Sequence, residues 1–109
     1  MNKFAKSKNN IDIALTTTEG SKRRIINIET EEIIKLSDMI ASKFNLTKDG
    51  NLIHDIVGDQ GSQKYKKDKY KISIGWGPFF PFIIWAENLE SDKLVEEIFD
   101  WLKTIEIPV

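Results

Sequence analysis

The stretch Ile74–Ala86, IGWGPFFPFIIWA, decides how this chain is put together. Within ten residues it sets Trp76, Phe79, Phe80, Phe82 and Trp85, interrupted by Gly75, Gly77, Pro78 and Pro81. So much aromatic surface has to be buried, in the protein's own core or against a partner. One long helix is excluded. Pro81 removes a helical hydrogen bond and clashes with the turn before it, and Gly75 and Gly77 weaken the turns further upstream. A bilayer span is excluded as well, because it needs about 20 apolar residues. What remains is two strands joined by a Gly77–Pro81 link. Before the link Lys69–Trp76 alternates, with Tyr70, Ile72, Ile74 and Trp76 inward and Lys69, Lys71, Ser73 and Gly75 outward. After it, Phe82–Glu87 is apolar on both faces, which predicts a central, covered strand.

Downstream, Leu94, Val95, Ile98, Trp101, Leu102 and Ile105 form an apolar stripe on a helix from about Asp92 to Thr104, with Glu96, Glu97, Asp100 and Lys103 opposite. Ser91 is its expected N-cap, and Asp92 complements the positive end of the dipole. Upstream, Ile11–Thr17 and Lys22–Ile28 both alternate around Thr18-Glu19-Gly20-Ser21, which reads as a hairpin. From Thr30 the period lengthens: Ile33, Ile34, Leu36, Ile40, Ala41 and Phe44 share one side of a helix, capped by Thr30 and stopped at Asn45. Thr47–Asn51 is a turn, Leu52–Val57 is too short to assign to strand or helix, and Gly58–Asp68 reads as an exposed polar loop.

The order is therefore ββα(β)ββα. Two amphipathic helices need a sheet to cover, so the expected class is α+β: an antiparallel sheet of about four to five strands with both helices packed on it. A length of 109 residues fits one domain, taken as residues 11–109 behind a flexible segment, residues 1–10. There is no cysteine, which excludes disulfides, thiolate nucleophiles and cysteine metal sites. The N-terminus MNKFAKSKNNIDIAL lacks an apolar signal core, so a cytoplasmic protein is expected, with no membrane span.

A net charge of −1 hides segregation. Five lysines stand against Asp68 between Lys64 and Lys71, and seven acids stand against Lys93 and Lys103 between Glu87 and Glu106. Such blocks steer partners more than they shape folds. Of the reactive possibilities, His54 is the sole histidine. Its neighbour Asp55 would point to the opposite face of a strand, so the two cannot act as base and orienting carboxylate. One histidine also leaves zinc a single nitrogen ligand and otherwise carboxylates, and neither TKDGN nor GDQGS spaces its oxygens for calcium. Neither a metal nor a cofactor is expected.

These features predict a non-catalytic protein-binding protein. Its acidic face, Glu87, Glu90, Asp92, Glu96, Glu97 and Asp100, would attract a basic partner, as a small cytoplasmic immunity or inhibitor protein would attract a basic bacterial toxin, such as a nuclease. Phe79 and Phe80, at a turn tip where polar residues are usual, form a second candidate contact, which a homodimer would also bury. The alternative is a nucleic-acid or small-molecule binding domain working through Lys64, Lys66, Lys67 and Lys69, though the acidic remainder of the chain disfavours nucleic acid. A small enzyme using His54 is the third reading.

Overall fold

In a computed structural model, residues 2–55, 60–78 and 81–109 are described, with the side chains of residues 54 and 55 excepted. The chain forms β1 (Lys3–Lys6), β2 (Asp12–Thr17), β3 (Arg24–Ile28), α1 (Ile33–Phe44), β4 (Thr47–Lys48), β5 (Ile53–Asp55), β6 (Gln60–Lys67), β7 (Tyr70–Trp76), β8 (Phe82–Ala86) and α2 (Ser91–Leu102). All strand pairs are antiparallel, in the order β1-β2-β3-β8-β7-β6-β4, with β5 beside β6. The α+β class holds, with more strands than the four to five expected.

The hairpin β2–β3 pairs Ile13 with Ile28 and Leu15 with Ile26, as the alternation requires. The last strand before α2, β8, is central, between β3 and β7. Its even residues continue a cross-strand row, Leu15–Ile26–Ile84–Ile74, every member of which is at most 1% exposed. Both helices close over this face. From α2 come Leu94, Val95, Ile98, Phe99 and Leu102, and from α1 Leu36 and Ile40, all in one core cluster with the row. Each such side chain contributes about 1.5–3 kcal/mol by leaving water. Phe99, absent from the predicted stripe, is 1% exposed. Trp101 meets Phe44 edge to face at 5.7 Å, joining the two helices.

Five expectations change. The first two residues of the expected turn Thr47–Asn51 form strand β4, pairing Thr47 with Lys66 and Lys48 with Tyr65 of β6. Residues 3–6, assigned to a flexible segment, form the edge strand β1, and the segment after it holds the C-terminal tail: Asn9 accepts from Ile107 N at 2.9 Å and donates to Ile107 O at 2.8 Å. Most of the expected loop Gly58–Asp68 is β6, turning into β7 through Asp68 at φ 53°. Its polar sequence hid the strand because its inward side carries only Gly61, Gln63 and Tyr65. Within the undecided Leu52–Val57, residues 53–55 are strand, and residues 56–57 lie outside the described residues. Neither Thr30 nor Ser91 is an N-cap residue. Thr30 lies two residues before the cap position and its hydroxyl donates to Pro108 O, while Ser91 is the first helical residue, capped by Asn88 Oδ1 accepting from Ser91 N at 3.0 Å. Asn45 does stop α1 in the left-handed conformation, at φ 55°.

Candidate functional site

The acidic residues of α2 do not form one free surface. Asp92 Oδ1 accepts from Arg24 N at 2.9 Å, and its Oδ2 lies 3.3 Å from Arg23. Glu96 lies 3.5 Å from the Arg24 guanidinium, which sits on the buried side of β3. Glu87 accepts from the buried Ser73 hydroxyl, and Asp100 pairs with Lys103 at 3.2 Å. Only Glu90 and Glu97, both exposed, take no part in these contacts. A sequence shows that arginines exist at 23 and 24; only the fold brings them to α2.

The lysines of the expected basic loop are distributed by the strand alternation of β6 and β7. Lys64 pairs with Ser73 and Lys66 with Lys71 in register, so these three lysines stand on one side of the sheet, the side away from the helices. Lys66 approaches Asp49 at 3.8 Å. Lys67 and Lys69 flank the turn, where Lys69 lies 5.6 Å from the Tyr70 ring. Phe79 and Phe80, the aromatic tip, fall outside the described residues, as does the side chain of His54.

The face of the sheet away from the helices is where the structure gathers apolar groups that the sequence did not flag as a surface. Two cross-strand rows run over it: Phe4–Ala14–Asn27–Ile83–Gly75–Ser62–Ile53 and Thr16–Ile25–Trp85–Ser73–Lys64. Neither Ile25, Ile83 nor Trp85 belongs to the core cluster under the helices. Phe4 is 76% exposed and Ile53 62%. Between Ile25, Ile53, Ile83 and Trp85 lies a hollow of about 380 Å³, with Gly75 and Ser62 on its floor. Trp85 is held there by Gly75: a Cβ at residue 75 would meet the indole at 3.0 Å and the Gly61 carbonyl oxygen at 3.2 Å. The signal was present in the sequence, since Phe82–Glu87 is apolar on both faces. It was read as a strand covered twice, whereas a helix covers it once.

A second concavity lies on the helix side, between the first turns of α1 and the hairpin β6–β7. It encloses about 560 Å³ and is lined by residues of α1, of the segment around Lys48 and Leu52, and by Gln63, Tyr65, Ile74 and Trp76. Burial pushes the Tyr65 phenol above its ordinary pKa, the Asp38 charge pushes it further, and a hydrogen bond with Ser37 opposes both. Among the described residues, no three metal-ligating side chains gather and no helix is long and apolar enough to cross a membrane. No family model, curated protein or solved structure matches the chain.

Proposed function

We propose that this chain is a non-catalytic protein-binding protein whose main contact surface is the sheet face away from the helices. The observation that carries this reading is the apolar centre of that face, Ile25, Ile53, Ile83 and Trp85 around one hollow, over which no helix lies among the described residues. An aromatic anchor among aliphatic neighbours, rimmed by polar residues, is the usual make-up of an interface hot spot. Within this class, the finer proposal is a small cytoplasmic immunity or inhibitor protein that occludes a basic bacterial toxin. Charge supports that part only modestly. Lys64, Lys66 and Lys71 stand at one corner of the same face, so apolar contact supplies the affinity, and Glu90 and Glu97 add long-range attraction from the other side.

The test is a photo-crosslinking residue placed at position 25 or at position 97 of the full chain, in the cells that make it. One specific product from position 25 is expected, and with the purified partner Trp85→Ala weakens binding by about tenfold or more. No product from position 25, or unchanged affinity for Trp85→Ala, overturns the sheet-face reading. Product formed only with a second copy of the chain would assign the face to a homodimer. Glu90→Lys with Glu97→Lys should slow association at low salt; an unchanged rate discards the basic-partner form alone.

One observation favours a second reading. Lys64, Lys66 and Lys71 stand beside the Trp85 row, a grouping that suits single-stranded nucleic acid, where stacking on one aromatic is worth about 1–3 kcal/mol per base. It predicts oligonucleotide binding that falls steeply with salt and is lost when Lys64, Lys66, Lys67 and Lys69 are neutralised. An enzyme using His54 would be removed by unchanged turnover in His54→Ala.

A further inference from the structure

We propose that the open edge of β1 docks an extended acidic segment of a partner, which lengthens the sheet by one strand. The proposal does not rest on the sheet-face reading, because its contacts come from backbone at the rim and not from Trp85. In the strand order β1 stands at one end, with β2 alone beside it among the described residues. At the other end the outer side of β6 is taken in two pieces, by the three residues of β5 and the two of β4.

The hydrogen-bonding phase of the ladder fixes what β1 presents outward. An antiparallel strand directs the N–H and C=O groups of alternate residues to opposite neighbours. Glu29 N donates to Asp12 O at 3.2 Å and Thr18 N to Arg23 O at 2.8 Å, so the even residues of β2 bond to β3. The odd ones, Ile13 and Leu15, are left to bond to β1, where their register partners are Ala5 and Lys3. Ser7 N donating to Ile11 O at 2.9 Å continues the same phase. The N–H and C=O of Phe4 and Lys6 therefore point away from β2. The next outward donor, Lys8 N, is met by Ile105 O at 2.9 Å, so the chain's own tail closes the edge there and leaves β1 itself open. Outward donors and acceptors at alternate residues are what an added strand needs to extend a ladder.

Side chains choose the partner. Lys3, Lys6 and Lys8 are exposed, and residues 1–11 hold no acid. Lys6 is engaged by Asp12 at 2.7 Å, while Lys3 and Lys8 take part in no ion pair among the described residues. Like charges across a strand pair repel, so the lysines disfavour a second copy of β1 and favour a strand that carries acids. By alternation Phe4, 76% exposed, projects from the face away from the helices, and Lys3 projects from the other. The fitting segment has apolar residues against Phe4 and acids against Lys3.

The experiment follows hydrogen exchange of the isotope-labelled full chain by NMR, alone and with three acetylated, amidated peptides: Glu-Val-Glu-Val-Glu, Lys-Val-Lys-Val-Lys and Glu-Pro-Glu-Pro-Glu. In the free chain the Ala5 amide should be protected and those of Phe4 and Lys6 should not. The glutamate–valine peptide should slow exchange at Phe4 and Lys6 about fivefold at four-fifths occupancy and leave the Trp85 indole signal in place. It should bind about fivefold more tightly than the lysine peptide at low salt, and the proline peptide, which lacks the donors, should give no protection. Lys6→Pro removes one outward donor without touching the ladder to β2, a placement that edge strands tolerate. It should weaken binding about fivefold beyond the effect of Lys6→Ala. No added protection at Phe4 and Lys6, equal binding of the lysine peptide, or equal affinity of Lys6→Pro and Lys6→Ala would overturn the proposal. Protection that grows with protein concentration alone would give the edge to a second copy, and peptide shifts confined to Trp85 would move the contact to the sheet face; either overturns it as well.

Discussion

The two helices are each 12 residues long and lie on the same face of the sheet, yet they are held in different ways. The first turn of α2 is tied to two strands. Ser91 Oγ accepts from Lys71 N at 2.7 Å, and Asp92 accepts from Arg24 N, so β7 and β3 both lend backbone donors to the helix start. Five apolar side chains then enter the core. The start of α1 is tied instead to the C-terminal tail, the Thr30 hydroxyl accepting from Glu32 N at 3.2 Å and donating to Pro108 O; Ile34 is 78% exposed, and the cleft opens beneath the first turns. This helix is seated through Leu36 and Ile40 in the core and through the Phe44–Trp101 contact near its end. The lesson is that equal amphipathic patterns do not give equal seating. Where backbone donors of the sheet meet helix side chains the layer closes, and where they do not, a cleft remains beneath the helix.

Substitutions separate the two regions most sharply in the core. Phe99→Ala should cost about 3–5 kcal/mol in chemical denaturation, a large share of a stability that is typically 5–15 kcal/mol. Ile34→Ser, on α1, should stay within about 0.5 kcal/mol. A loss of similar size at both positions would mean that α1 is seated as firmly as α2. Next come two acids of α2 that look equivalent in sequence. Asp92→Ala should cost about 1.5–3 kcal/mol because it orphans Arg24 N and the Arg23 guanidinium. Asp100→Ala, whose side chain is 66% exposed, should change stability by less than about 0.5 kcal/mol. Thermal unfolding of the pair tests the division of the acidic face into structural and free residues.

Smaller effects are expected around the cleft. Gly61→Ala should cost about 1–2 kcal/mol by displacing the Trp76 ring, seen as a shift of its indole signal with the hairpin intact. Alkaline pH gives the finest contrast. The Tyr65 pKa is raised in the folded state, so the unfolded chain loses its proton first. The contribution is fully present below the ordinary tyrosine pKa, about 10, and is lost as pH rises through the folded value. Tyr65→Phe should flatten that decline; an unchanged slope would place the phenol in contact with solvent.

Much of the fold was legible because its signals are local. The hairpin β2–β3 is two alternating segments around Gly20, α1 and α2 are periodic stripes, and β8 is an apolar run after proline punctuation. The misses share a cause: β1 has four residues, and β6 places only Gly61, Gln63 and Tyr65 inward, so their pairing comes from neighbouring strands more than from their own hydrophobicity. The candidate surfaces were less legible than the fold. Acids at 92 and 96 read as solvated until Arg23 and Arg24 arrive from a strand roughly seventy residues upstream, and no local pattern encodes that approach.

By itself, the sequence determined the class of the fold, the position of β8 at its centre and the absence of cysteine chemistry, since each follows from composition or short-range periodicity. Tertiary structure alone decided which sheet face stays without a helix among the described residues, which carboxylates are already engaged and where the cleft beneath α1 lies. These depend on register and on distances between segments far apart in the chain, and burial energy is indifferent to which of two apolar faces a helix covers until both helices have docked.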